Sequence, residues 1–190
     1  VIGYVASFPI PEVIRGINSF TLAAQKVNPN IKTKIVWAFT WYDPGKEAEA
    51  AKALIDQGAD VIAQHTDSTA IVQMAEKAGV YAFGQASDMD KFAPKAVLTS
   101  VENNWGPYYV DRVKAVANGT WSQKDTWHGI GDGMVVISDL DSQMPADLRS
   151  KVKKLQADLA SGKVHSFTGP IYDQKGNLMV AEGKTADDGM

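Results

Sequence analysis

The feature that most constrains the fold is the regular alternation of short, β-rich apolar runs with amphipathic helical patterns along much of the chain. Residues 1–6 predict a strand, and residues 11–27 predict a helix, since Val13 and Ile17 recur at helical spacing behind Pro11, a residue suited to a first turn. Each strand–helix unit takes about 25 residues, which is typical of βαβ units. Further strands are predicted over 34–39, 60–64, 81–84 and 96–101, and further helices over 46–57, 69–78 and about 108–117.

This alternation predicts an α/β fold with a parallel sheet flanked by helices. The strands are near-continuous apolar runs, as expected for a sheet that helices cover on both faces. After Asn118 the pattern changes, and a Trp- and Gly-rich stretch precedes a strand at 134–138, a helix at 145–160 and a hairpin-like end. We therefore predict an α/β core with ligand-binding loops over residues 1–106, and a return segment with a C-terminal helix and strands over residues 107–190.

Composition and motifs argue against several classes of function. The 190 residues carry a formal net charge of -3 and no basic cluster of the density typical of a nucleic-acid surface. The absence of cysteine removes thiol catalysis, Cys-based zinc sites and disulfides. The hydrolase elbow, the zinc-protease motif and the P-loop are absent, and no His, Asp or Glu pair has metal-ligand spacing on a helix. We expect a protein that is not an enzyme and that holds neither metal nor cofactor.

The candidate functional residues follow the ends of the predicted strands, because ligands of an open parallel sheet bind beyond the carboxyl ends of its strands. The loops there alternate aromatic rings with short hydrogen-bonding side chains. Such a mixture suits a flat heteroaromatic ligand, since stacking contributes roughly 1–3 kcal/mol per base and polar side chains recognise its edge. We predict one shared hollow with these ligand-binding residues: Trp41, Asp43, His65, Asp67, Gln85, Asp88, Asn103 and Trp105.

Several of these residues also have structural alternatives. Asp43 and Asp67 each precede a predicted helix and suit an N-cap. Trp41 suits a cover for the sheet edge, and Trp105 an anchor for the helix that follows it. His65 suits a hydrogen-bonded loop histidine as well as a ligand contact.

The stretch between the two predicted segments carries two more indoles and a glycine motif. Trp121 and Trp127 lie outside the strand-end loops, and we expect both to be packing residues. Residues 129–133 (GIGDG) look like a dinucleotide fingerprint, but they precede a strand instead of following one. The stretch is therefore not expected to bind a dinucleotide.

Several motifs, in order, resemble those of one family. Residues 41–43 (WYD) with 46–48 (KEA) are similar to an aromatic-x-Asp loop, and residues 57–62 (QGADVI) to a strand start, of the basic membrane protein family. The turn at 84–88 resembles its G-V-D-S-D-Q segment, and residues 98–101 its L-T-S strand. Two further segments also fit the family: 132–133 and 167–171.

The resemblance implies a substrate-binding component of an ABC transporter. Members have two type I periplasmic-binding-protein-like α/β lobes joined by hinge strands, and many bind purine nucleosides between the lobes. The resemblance places residue 1 at the first strand of the second lobe, with the first lobe largely missing and any leader outside the chain. It further implies a periplasmic or cell-surface lipoprotein, a membrane permease as partner, a small purine-like ligand, no nucleic acid and a monomer.

The resemblance also assigns individual positions. Trp41 takes the stacking aromatic, whereas the aspartate that holds the ribose hydroxyls falls at Ala86 and the lysine that helps to hold the ribose falls at Asn103. Each loss would remove a charge-assisted hydrogen bond of about 1.5–3 kcal/mol from a buried ribose. We therefore expect a free base such as adenine to be preferred to a nucleoside. Three candidate residues are expected to fill or line the vacated space: Gln85, Asp88 and Trp105.

Other functions stay open at this point. The same fold could bind a sugar, another nucleoside or a different small heterocycle. It could also be the effector-binding domain of a regulator, which would need a DNA-binding helix pair that this sequence lacks. A hydrolase using His65 and Asp67 is a third class, and a substrate panel would test it.

Overall fold

The computed structural model describes residues 1–187, and within them a six-stranded sheet forms the centre of the molecule. The strand order is β2-β1-β3-β4-β5-β6. The strands are β1 (Ile2–Ala6), β2 (Thr33–Trp37), β3 (Val61–His65), β4 (Tyr81–Ala86), β5 (Val97–Asn103) and β6 (Val135–Ile137). The helices are α1 (Pro11–Val27), α2 (Pro44–Asp56), α3 (Ala70–Ala78), α4 (Trp105–Ala117) and α5 (Ala146–Ala160), and a hairpin of β7 (Ile171–Tyr172) and β8 (Leu178–Val180) follows.

Strands β1 to β5 are parallel, which confirms the predicted α/β fold with a parallel sheet. The sixth strand is antiparallel to β5, with Asn103 opposite Val135. Asn104 reinforces this return, because its backbone N donates to Met134 O at 2.8 Å and its Nδ2 donates to Gly133 O at 2.9 Å. Residues 104–134 therefore leave and rejoin the sheet at the same edge.

Helices pack on both faces of the parallel strands. On one face, α2 and α3 bury Leu54 and Ile71 against Val5 and Ile62. Complete burial of such a side chain contributes roughly 1.5–3 kcal/mol. On the other face, α1 packs Val13 and Ile17 together with Tyr4 and Ala63. The apolar periodicity that predicted these helices marks their buried sides.

The segment after β5 is packed more loosely. Neither α4 nor α5 contains a buried residue. Val113 on α4 is 69% exposed, and Leu148 and Leu155 on α5 are exposed. The division at residue 106 stays a prediction, and the last three residues of the predicted second segment lie outside the described residues.

Residues 1–187 contain no helix with the length and apolar character that crossing a bilayer requires.

Candidate functional site

The carboxyl ends of β1 to β5 lie at one edge of the sheet, and the strand order reverses there between β1 and β3. After β1 the chain continues into α1 on one face, and after β3 it continues into α3 on the other face. The two loops diverge, and such a switch point creates a crevice in which ligands of open α/β sheets bind. The candidate site is built on this crevice.

Aromatic rings cluster near the switch point, on the side of β2. The Trp41 ring centroid lies 5.4 Å from that of Phe8 and 6.4 Å from that of His65. Phe39 packs edge-on to Phe8 at 6.3 Å. Trp41 nevertheless stays 40% exposed. An indole fixed by neighbouring rings and still open to solvent is suited to stack on a planar ligand.

The first turn of α1 supplies the acidic neighbour of His65. Glu12 Oε1 lies 3.6 Å from His65 Nε2. The absence of a side chain at Gly16 lets the imidazole lie close to α1, because a Cβ there would be 3.4 Å from His65 Nδ1. His65 is the last residue of β3, not a loop residue as predicted. Its acidic partner is Glu12 and not Asp67, so the geometry of a hydrolytic His65–Asp67 pair is not formed.

A backbone hydrogen bond joins the loops after β2 and β3. Asp67 N donates to Trp41 O at 2.9 Å, and the Asp67 side chain is exposed. The capping alternative for Asp67 is wrong, because Thr69 is the N-cap residue of α3 and Ala70 N donates to Ser68 Oγ at 3.3 Å. The backbones of Trp41 and Asp67 are therefore neighbours at this edge of the sheet.

Asp43 has the role that its capping alternative describes. Its Oδ1 accepts a hydrogen bond from Lys46 N at 3.1 Å, and its Oδ2 lies 3.7 Å from Lys46 Nζ. Pro44 follows as the first residue of α2. This arrangement satisfies a free backbone N–H of the first turn. Asp43 thus orders the loop that carries Trp41.

The sequence analysis missed Glu47, a side chain with no exposed surface. Its carboxylate accepts hydrogen bonds from Asp43 N at 2.8 Å and from Ser68 Oγ at 2.6 Å. The signal was available in the sequence, since Glu47 is followed at helical spacing by Ala50, Ala51 and Leu54. An acidic residue on the apolar stripe of a helix needs buried partners.

The end of β4 departs from the prediction in its boundary. The strand runs to Ala86, so Gln85 is a half-buried strand residue and not a loop residue. Ala86 has a φ of 63°, a left-handed backbone conformation that is uncommon for residues other than glycine. Asp88 is exposed, and its Oδ1 accepts from Asp90 N at 3.1 Å. Asp88 therefore shapes the loop after β4.

Asn103 and Trp105 line a cavity of about 440 Å³ at the same edge of the sheet. Both were predicted in a loop, but Asn103 ends β5 and Trp105 begins α4. Trp105 stacks on Tyr109 with centroids 5.7 Å apart, which agrees with its helix-anchoring alternative. The cavity is completed by Tyr108, Met134, Val135 and the segment from Lys124 to His128.

Two tryptophans are not packed as expected. Trp121 is 53% exposed and Trp127 is 75% exposed, so the expectation of interior packing is wrong for both. The guanidinium of Arg15 lies 5.3 Å from the centre of the Trp127 ring, a cation–π distance. Trp127 also lines the cavity beside Trp105. The Trp- and Gly-rich stretch folds over the sheet edge without entering the core.

The predicted residues thus form two groups at one edge of the sheet. Trp41, His65 and Asp67 lie together at the switch point, and Asn103 and Trp105 lie together at the end of β5. Strand spacing puts β3 and β5 roughly 10 Å apart. Across the described part of the chain, no group of three or more His, Asp or Glu side chains is placed to hold a metal ion.

An α/β lobe with candidate ligand contacts at its switch point is typical of domains that bind small ligands. Residues 1–173 match the sequence profile of the Bmp family, described as PnrA-like ABC transporter substrate-binding proteins. The chain belongs to this family, which confirms the resemblance noted from its motifs. The members of the family are substrate-binding proteins and not enzymes.

Two curated relatives and one solved structure are similar to the chain. A purine-binding protein of Brucella abortus (strain 2308) is 52% identical over 186 residues, which are 98% of this chain and 53% of that protein. A putative ABC transporter glucose-binding protein of Haloferax volcanii is 34% identical over 172 residues, 90% of this chain and 44% of that protein. A solute-binding protein of an ABC transporter from Conexibacter woesei superposes with a TM-score of 0.68 at 24% identity, covering 86% of this chain and 56% of that one. The chain spans about half the length of the curated relatives it matches.

Proposed function

We propose that this chain carries purine-binding loops of the extracytoplasmic solute-binding component of an ABC importer. The observation that carries the proposal is the partly exposed Trp41 indole, held between Phe8 and His65, with Asp67 on the adjoining loop. The name of the Brucella relative, a purine-binding protein at 52% identity, supports the ligand class.

Each group at the switch point can contribute a different interaction with a purine. The indole of Trp41 offers a stacking surface, worth roughly 1–3 kcal/mol for a base. The exposed carboxylate of Asp67 can accept hydrogen bonds from an amino group or a ring N–H of the base. His65 can contact the ring edge from the crevice floor. Together they would recognise a flat ligand through one face and one polar edge.

A free base is the ligand that we favour over a nucleoside. Ala86 ends β4 where the family resemblance implies a ribose-binding aspartate, and Asn103 ends β5 where it implies a lysine. A methyl group offers a ribose hydroxyl no hydrogen bond, and an amide offers no charge. Each ribose hydroxyl that is desolvated on binding and finds no hydrogen-bond partner weakens binding by about 1–3 kcal/mol. Adenine avoids this cost.

Calorimetric titration of the protein with adenine, adenosine and glucose tests this proposal. We expect adenine to bind with a Kd at least tenfold below that of adenosine, because adenosine must desolvate a ribose that Ala86 cannot hold. Clearly tighter binding of adenosine would refute the base preference but keep the purine class. Binding of glucose alone would refute both.

A sugar ligand is the second candidate, since the Haloferax relative is named a putative glucose-binding protein. Aromatic rings beside carboxylates and amides also suit the apolar face and hydroxyl rim of a sugar. The glucose arm of the titration separates the two candidates.

We also propose a role in transport for the protein that carries these loops. We infer that the ligand is held between two lobes that close by hinge motion, and that a membrane permease recognises the closed form. We further infer a periplasmic or cell-surface location with a lipid anchor. Incorporation of radiolabelled palmitate into the protein in its native host would support the anchor. Label in the membrane fraction but none in this protein would refute it.

A further inference from the structure

One buried carboxylate connects the two loops that carry Trp41 and Asp67. Glu47 Oε1 accepts from Asp43 N, in the loop after β2, at 2.8 Å. Glu47 Oε2 accepts from Ser68 Oγ at 2.6 Å and from Ser68 N at 3.3 Å, in the loop after β3. The single side chain therefore bridges Asp43, two residues after Trp41, and Ser68, which follows Asp67.

The position of Glu47 on α2 indicates that its contribution to the structure is this bridge between the two loops. The side chain is fully buried and shares its stripe of α2 with Ala50, Ala51 and Leu54. Burying a carboxylate costs free energy unless its oxygens are hydrogen-bonded, and an apolar side chain would fill the stripe without that cost. The hydrogen bonds described for the Glu47 carboxylate all go to the two loops.

Other hydrogen bonds hold the same loops from below and from the side. Gln64 Nε2 donates to Thr66 O at 3.0 Å and to Ser68 O at 3.1 Å, which fixes the loop after β3 on its own strand. Asp67 N donates to Trp41 O at 2.9 Å. With the Glu47 bridge, the backbones of the two loops that carry Trp41 and Asp67 are tied to each other through α2.

We propose that Glu47 is a positioning residue that sets Trp41 and Asp67 at their mutual distance before the ligand arrives. This inference rests on the proposed function, since it assigns Glu47 a role in that same site. Loops that are ordered in advance lose less freedom on binding, so more of the contact free energy remains as affinity.

The binding test uses adenine as the probe and compares three variants. Glu47→Gln keeps one acceptor oxygen but cannot accept on both sides, and we expect its Kd for adenine to rise about tenfold. Ser68→Ala removes the Oγ contacts with Glu47 and with Ala70 N, and we expect a rise of about threefold or more. Glu49→Gln, an exposed change on the same helix, is the matched control and should leave the Kd unchanged.

The second test needs no ligand. Amide hydrogen exchange of Asp67 and Ser68 reports whether the loop is held, and Ile62 in β3 reports the core. In Glu47→Gln we expect exchange of the two loop amides to accelerate at least tenfold, with the Ile62 amide unchanged. Accelerated loop exchange together with weakened adenine binding supports the positioning role.

Two results would overturn it. If loop exchange is unchanged in Glu47→Gln, then the bridge does not hold the loops. If exchange accelerates but both Glu47→Gln and Ser68→Ala bind adenine as the unaltered protein does, then the bridge has no part in binding. A failure of the unaltered protein to bind adenine would instead refute adenine as the ligand of this site, while accelerated exchange would still support the bridge between the loops.

Discussion

The indole of Trp41 combines two properties that single residues rarely share. Contacts with Phe8 and His65 restrict its rotation, and 40% of its surface stays open. A ring that is already fixed loses little side-chain entropy when a ligand covers it. Replacing Trp41 should therefore weaken ligand binding more than it lowers the free energy of unfolding.

This gives a prediction for Trp41→Ala. We expect the Kd for adenine to rise about 5- to 150-fold, because the stacking surface worth roughly 1–3 kcal/mol is removed. The matched control is Trp121→Ala, which deletes an exposed indole outside the strand-end loops. Calorimetry on both variants makes the comparison. Equal losses in the two, or none in Trp41→Ala, would show that the indole does not stack on the ligand.

At the scale of the elements, the close approach of β4 and β5 sets where the strand-end residues lie. A Cβ on Gly84 would fall 2.1 Å from Ser100 Oγ and 2.8 Å from Ser100 Cβ. Ser100 Oγ in turn accepts from Met89 N at 3.1 Å, which ties the loop after β4 to β5. The absence of a side chain at Gly84 is therefore what lets this pair of strands form.

Gly84→Ala is accordingly expected to lower the free energy of unfolding by about 1–3 kcal/mol, since the methyl group must push the two strands apart. Gly129→Ala serves as the control, because a Cβ there would meet nothing within 4 Å. Denaturant unfolding followed by circular dichroism measures both. An unchanged midpoint for Gly84→Ala would mean that the strands separate without cost.

The sequence predicted the elements well and the edges of the site less well, for a physical reason. Apolar periodicity reports burial, so the bounds of α1 followed from it, and each parallel strand was located with its ends off by at most about two residues. The ends of β4 and β5 are polar, and periodicity stops before Gln85 and Asn103 although backbone pairing continues. The long-range hydrogen-bond partners of a side chain depend on the tertiary structure. The Asp43 cap could therefore be predicted from local sequence, whereas the Glu47–Ser68 contact could not.

At the scale of the whole molecule, one buried phenol couples stability to alkaline pH. Tyr4 lies between the sheet and α1, 5% exposed, and packs edge-on to Phe20. Burial raises the pKa of Tyr4 from 10.0 to about 12, because the tyrosinate would lose its water. The folded state thus holds this proton more tightly than the unfolded state does.

The direction of the pH dependence of stability follows from the linkage between proton binding and folding. The contribution of Tyr4 is complete below pH 10 and is lost as the pH rises from 10 towards 12, by roughly 2–3 kcal/mol in all. We expect Tyr4→Phe to lose less stability than the unaltered protein over this interval, in denaturant titrations at pH 8, 10 and 11.5. Tyr81→Phe, which changes an exposed ring, should keep the full dependence. Parallel curves for all three proteins would contradict the assignment.

The antiparallel return of β6 has a consequence for how such a molecule can diversify. Residues 104–134 are attached through two neighbouring strand ends, joined by Asn104 to Gly133 and Met134. Both attachment points lie at the carboxyl-end edge of the sheet, where the strand ends carry the candidate ligand contacts. Residues 104–134 could thus be exchanged for a different segment between the same two strand ends. Such an exchange would change which ligands the lobe admits without changing the sheet.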